Sequence, residues 1–261
     1  MIVPRQVNEA ERLAPVTAAL RDLHDRSGLA PDLVVRDDTG WMPATWLTDG
    51  SRITDLLDAA HRRWQAAPHV AASLAWKSYS YWLVLPSVIG WASALRVPLL
   101  YPADVLVRID GPDQFLAIGL RPSVAVAVLP SDALARFPPP TGVHVAGDEV
   151  ALLEALRLSL LDAHLTPLLE ETQARVRIGR RALLGSVSSG IAHGILRATG
   201  TLPGSPVEKT IHTLLQALGI ADLIELVPGP NGEPTVRRKT CCLQFTVPGA
   251  TLCTSCCIRH R

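Results

Sequence analysis

Five cysteines, Cys241, Cys242, Cys253, Cys256 and Cys257, crowd the end of a 261-residue chain whose first 240 residues have none. Thiols gathered this way in a chain with no secretory leader point to metal binding or redox work rather than structural disulfides, because a reducing compartment keeps thiols free. Between the two groups lies Pro248-Gly249, a turn-forming pair, flanked by Leu243 to Val247 and Ala250 to Leu252, which both read as short strands. Folding back about that turn sets Cys241 opposite Cys256 and brings Cys242 and Cys253 close by, the arrangement a four-thiolate site needs. Neighbours on a regular strand point to opposite faces, so Cys241 and Cys242 reach one site only where the strand ends or bulges.

Four thiolates suit either a structural zinc ion or an iron–sulfur cluster. Zinc is usually gripped by pairs with two to four residues between partners. An adjacent pair such as Cys241-Cys242 fits a larger cluster better.

Cys-Cys, ten residues, Cys, two residues, Cys at the C-terminus resembles the FhuF-type ferric siderophore reductases. The Arg237-Arg238-Lys239-Thr240 lead-in and the Pro-Gly turn are similar to that family too, and Leu183 to Leu196 is similar to the helix preceding its cysteine segment. The resemblance implies a [2Fe-2S] cluster on Cys241, Cys242, Cys253 and Cys256, with Cys257 as a substitute or a bystander. It also implies one-electron reduction of a ferric siderophore in the cytoplasm, releasing iron as Fe(II), with electrons from a ferredoxin or reductase. Two readings compete with it. One is a zinc-stabilised binding module without catalysis; the other is a siderophore-binding or biosynthesis-related protein.

The rest of the chain must position this tail. With 48% hydrophobic residues it can bury a large core, and a formal charge of +1 gives no field for steering towards nucleic acid. The N-terminus shows no signal peptide. The apolar run from Tyr81 to Leu95 stops at Arg96, short of the roughly 20 residues of a bilayer span, so it reads as a core helix. Peripheral attachment at the inner membrane face is compatible with this.

The periodicity predicts helices over Pro15 to Ser27, from a Ser51 cap to Trp64, over His69 to Leu95 with a kink or break at Pro86, over Asp148 to Arg175, over Arg180 to Ala198, and from a Ser205 capping box to Gly219. Strands are expected at Val105 to Ile109, Phe115 to Ile118 around Gly111-Pro112, and Val124 to Leu129. Val227 to Pro234 reads as turn-rich. The sum is an α+β protein, predominantly helical, with a short antiparallel sheet and a C-terminal cysteine hairpin. The proline run Pro138 to Pro140 marks a soft boundary that divides residues 1–140 from residues 141–261.

Several residues outside the cysteines carry candidate roles. Arg237, Arg238 and Lys239 could attract an anionic siderophore or acidic donor and moderate cluster charge, or form a solvated run. Trp76, Lys77 and Tyr79, with Tyr81 and Trp82, could line a siderophore cleft, although core packing is the stronger reading. His164 and His193 read as satisfied structural histidines rather than ligands. Arg175, Arg177, Arg180 and Arg181 read as a solvated face.

Overall fold

The structure is a computed structural model and describes residues 8–23, 26–109, 114–202, 206–229 and 232–258. The Ser205 cap and the Gly111-Pro112 turn lie outside the described residues. Helix α1 (Glu9–Arg21) begins before Pro15, because the Asn8 side chain accepts the Glu11 backbone N–H at 2.8 Å and caps it. Strand β1 (Leu29–Val34), the two-residue β2 (Met42–Pro43) and the one-turn α2 (Thr45–Thr48) follow. Helix α3 (Ile53–Trp64) then leads into α4 (Pro68–Ala94), the longest helix.

Helix α4 does not divide at Pro86. That proline lacks the N–H of an internal helical bond, a loss of about 3 kcal/mol in an isolated helix. Here Leu83, Val84, Leu85, Val88 and Ile89 around it are fully buried, and their packing holds the helix continuous.

After α4 come β3 (Arg96–Pro98), β4 (Val105–Ile109), β5 (Leu116–Leu120), β6 (Val126–Val128) and β7 (Val143–Val145). They form two sheets, ordered β1-β5-β4-β2 and β3-β6-β7. Both are mixed, since β1 runs parallel to β5 and β6 parallel to β7. The α+β class expected from sequence is the one observed, with short mixed sheets beside the antiparallel pairings.

The second half starts with α5 (Glu149–Leu156), capped by Asp148, and runs through a π-helical stretch, Arg157–Leu165, into α6 (Thr166–Arg175). Helices α7 (Arg180–Arg197) and α8 (Val207–Ala217) follow. Next comes the hairpin of β8 (Ile224–Pro228) and β9 (Pro234–Arg238). The described residues of the turn-rich stretch Val227 to Pro234 thus include the facing ends of β8 and β9, strands too short to show a sustained alternating pattern. One hydrophobic cluster extends from Leu13 to Val236.

Helix α7 packs along α4, and its small residues make the approach close. A Cβ at Gly194 would overlap Leu85 of α4, and one at Gly185 would overlap the Thr240 hydroxyl just before the cysteines. Glycine in a helix costs about 1 kcal/mol relative to alanine. At these positions it removes a collision with α4 and with the cysteine segment. Among the described residues, no helix is long and apolar enough to cross a membrane.

Candidate iron–sulfur site and the adjoining cavity

Beyond β9 the chain leaves regular structure. The expected strands on either side of Pro248-Gly249 are absent; the segment holds a 3-10 turn, Gln244–Thr246, and Leu243 is left-handed at φ 62°. Because β9 ends at Arg238, Cys241 and Cys242 are released from strand alternation. The loop is anchored at several points. The Ser73 hydroxyl of α4 donates to the Cys242 carbonyl at 3.1 Å, Arg238 N–H to the Ser255 carbonyl at 3.1 Å, and Lys239 N–H to the Leu223 carbonyl at 2.9 Å. Leu243 and Val247 pack on a small apolar cluster of Ala66, Val70 and Leu74. These contacts fix the loop to the start of α4.

All five cysteines are free thiols, with Cys242 and Cys256 buried and the others half-buried. The Cys242 and Cys253 sulfurs lie 3.7 Å apart. Two thiolates about 2.3 Å from one tetrahedral metal ion are separated by roughly 3.8 Å, so this pair fits adjacent corners of a metal's coordination sphere. Leu243 N–H points at Cys241 Sγ at 3.3 Å, a donor to sulfur of the kind that tunes a cluster. Cys257 sits against Cys241, and the Cys256 N–H donates to the Cys253 carbonyl at 3.1 Å.

Local interactions push the thiols in different directions. The Cys242 thiol is pushed down to about 5, first by the hydrogen bond from Cys253, then by the Gln244 backbone N–H, and last by the Lys77 and Arg238 charges nearby. Cys253 is pushed up because it gives that hydrogen bond and is partly desolvated. Burial, followed by the neighbouring cysteines, raises Cys241. A donor set of thiols with two cations beside it matches the needs of a cluster that carries negative charge.

An open cavity of about 450 Å³ adjoins this loop, and Gln244, Thr254 and Ser255, chain neighbours of the cysteines, line it. So do Lys77, Tyr81 and Trp82 of α4 and Ser189, His193 and Arg197 of α7. Trp76 and Tyr79 do not line it. The Trp76 indole is buried and donates to the Leu183 carbonyl at 2.8 Å. Tyr79 is fully buried, its hydroxyl 2.6 Å from His164 Nε2, while His164 Nδ1 lies 2.8 Å from the Leu100 carbonyl. A carbonyl only accepts, so Nδ1 carries the proton and Nε2 accepts from Tyr79. His164 is a satisfied core histidine; His193, half-buried, is a cavity residue.

The three basic residues before the cysteines separate by strand alternation. Arg237 and Lys239 face outward and pair with Glu225, Arg237 Nε at 3.0 Å and Lys239 Nζ at 3.4 Å. Arg238 faces inward, 2% exposed, in the cavity wall. Sequence reasoning grouped them as one charge run. The period of two in the strand held the signal that separates them. Arg175, Arg177, Arg180 and Arg181 are exposed; Arg175 pairs with Glu171 and Arg181 with Asp222.

Comparison with known proteins bears on this segment alone. No curated protein matches the chain. Residues 238–257, from the buried Arg238 to Cys257, match the profile of the FhuF 2Fe-2S C-terminal domain.

Proposed function

We propose that the protein is a ferric siderophore reductase that holds its [2Fe-2S] cluster on Cys241, Cys242, Cys253 and Cys256 in the cytoplasm. The observation that carries this reading is that the cysteine loop of the matched 2Fe-2S domain forms one wall of an open cavity. When bound, the cluster supplies a single electron at a time, the change that weakens a siderophore's hold on its iron. The chain's own residues provide the setting. Ser73, Leu243 and Val247 fix the cysteine loop on α4. Lys77 and Arg238 offset thiolate charge at Cys242.

The cavity supplies a landing place for part of a bulky chelate. Its volume lies within the roughly 300–1,000 Å³ range of small-molecule sites, and its open form lets the remainder of a ferric siderophore project into solvent. Tyr81 and Trp82 add aromatic surface there. Electrons arrive from a ferredoxin or reductase.

The test is protein purified without oxygen, analysed for iron, zinc and sulfide and examined by visible absorption and electron paramagnetic resonance before and after dithionite. Equal iron and sulfide, a signal that appears on reduction, and its loss when ferric siderophore is added with Fe(II) trapped by a ferrous chelator are the expected results. Colourless protein with zinc and no sulfide, or a reduced cluster indifferent to every ferric siderophore, would reject the proposal.

A further inference from the structure

The cavity beside the cysteines is lined by Lys77, His193, Arg197 and Arg238, and by no aspartate or glutamate among its described lining residues. Arg238 is the most telling of these. A guanidinium has five N–H donors and holds its charge at any working pH. Its Nη2 donates to Ser186 Oγ at 2.8 Å and lies 3.5 Å from Thr240 Oγ1. Among the described residues its Nε and Nη1 are buried without a hydrogen-bond partner, and no carboxylate pairs with it.

A buried cation left with unused donors is costly, and the cost falls when an anion supplies both charge and acceptors. Lys77 and Arg197 stand on the neighbouring helices of the same cavity, held through Gln244 at 3.1 Å and Tyr81 at 2.9 Å. Lys77, Arg197 and Arg238 line one cavity, and the His193 imidazole among them is pushed down to about 4, by burial first and then by Arg197, Lys77 and Arg238. A cavity whose described lining gathers cationic side chains and no carboxylate is suited to an external anion.

We propose that this cavity selects ferric chelates of net negative charge, such as catecholate or carboxylate complexes, over neutral hydroxamate chelates, with the free donors of Arg238 and the Lys77 ammonium as the selecting groups. The identity of the ligand as a ferric chelate rests on the reductase reading; the preference for an anion rests on the cavity alone.

Gallium(III) complexes, which resist reduction, separate binding from electron transfer. The full-length, cluster-loaded protein is titrated at low salt with the triply anionic gallium complex of a tris-catecholate and with the neutral gallium complex of a tris-hydroxamate, following quenching of tryptophan fluorescence from Trp64 and Trp82 in the cavity wall. The anionic complex is expected to bind at least about tenfold more tightly, as a charge-assisted contact gives. The preference should shrink with added salt and collapse in Lys77→Gln and Arg238→Gln.

Because Arg238 is buried, the visible spectrum of each variant is recorded first. Should Arg238→Gln lose its cluster, the half-buried Lys77→Gln carries the test. Equal affinity for the two complexes, an unchanged preference in Lys77→Gln, or displacement of the anionic complex by inorganic phosphate at matched concentration would overturn the inference. Tight, charge-selective gallium binding without reduction of the ferric counterpart would instead uphold the inference and reject the reductase reading.

Discussion

The Ser73 hydroxyl on the buried helix α4 donates to the carbonyl of Cys242, 169 positions later in the chain. This bond makes the cysteine loop an extension of the core rather than a free tail. Ser73→Ala leaves a buried carbonyl without this donor, a loss of about 0.5–1.5 kcal/mol. The variant should still assemble its cluster but surrender it to an iron chelator about two- to tenfold faster. Decay of the visible absorption checks this, and an unchanged rate would show that the loop is held elsewhere.

Gly185 makes a stricter demand. Any Cβ there overlaps the Thr240 hydroxyl, and Thr240 directly precedes Cys241. Gly185→Ala, which raises helix propensity in isolation, should therefore destabilise the protein by about 1–3 kcal/mol through overpacking. Urea unfolding measures the loss, and Thr240→Ser in the same background should not relieve it, since the hydroxyl oxygen is the atom met. Gly194→Ala should also destabilise, against Leu85 of α4, yet leave the cluster spectrum unaltered.

The parts legible from sequence were those with strong local signatures. The buried helix of Pro68–Ala94 and the helix of Arg180–Arg197 announce themselves by composition and spacing, and the cysteine spacing coincides with the segment that matches the FhuF 2Fe-2S C-terminal domain. Three features were not legible, for physical reasons. The path between the cysteine groups follows a left-handed Leu243 and a 3-10 turn, and strand propensity cannot anticipate either because packing on Ala66, Val70 and Leu74 decides them. The hairpin of β8 and β9 pairs polar residues, among them Glu225 with Arg237, and so lacks a hydrophobic alternation. The division of aromatics between cavity and core depends on which face of α4 meets α7, and a helix apolar all round does not encode that.

Tyr79 and His164 provide a pH test that is independent of the cluster chemistry. Burial pushes His164 down to about 4 from its ordinary value near 6.5. Between those values the unfolded chain takes up a proton that the native imidazole refuses, so stability is full above pH 6.5 and is lost as pH falls towards 4. The contribution of this residue should be about 1.4 kcal/mol per pH unit across that interval. His193 acts in the same direction. His164→Gln, which can still accept from Tyr79, should reduce the slope of unfolding free energy against pH by about one proton. Tyr79→Phe should cost about 1–3 kcal/mol at neutral pH by stranding Nε2 and leave chelate binding untouched, since Tyr79 is outside the cavity wall.

The last two cysteines compete for one role. The proposed ligand Cys256 is buried at 4% exposure, with its N–H donating to the Cys253 carbonyl at 3.1 Å, while Cys257 stands half-buried against Cys241. Cys256→Ser replaces a buried thiol, whereas Cys257→Ser alters a more exposed position at the last residue of the matched segment. With Cys256 as ligand, Cys257→Ser should retain full iron and sulfide with an unaltered paramagnetic resonance signal. Cys256→Ser should lose most of its cluster, and any remainder should show shifted g-values, because Cys257 or the serine oxygen would then complete the set. The opposite outcome, an intact Cys256→Ser protein and a depleted Cys257→Ser protein, would place Cys257 in the ligand set and show that the contact with Cys241, rather than the spacing, determines where the chain closes on the iron.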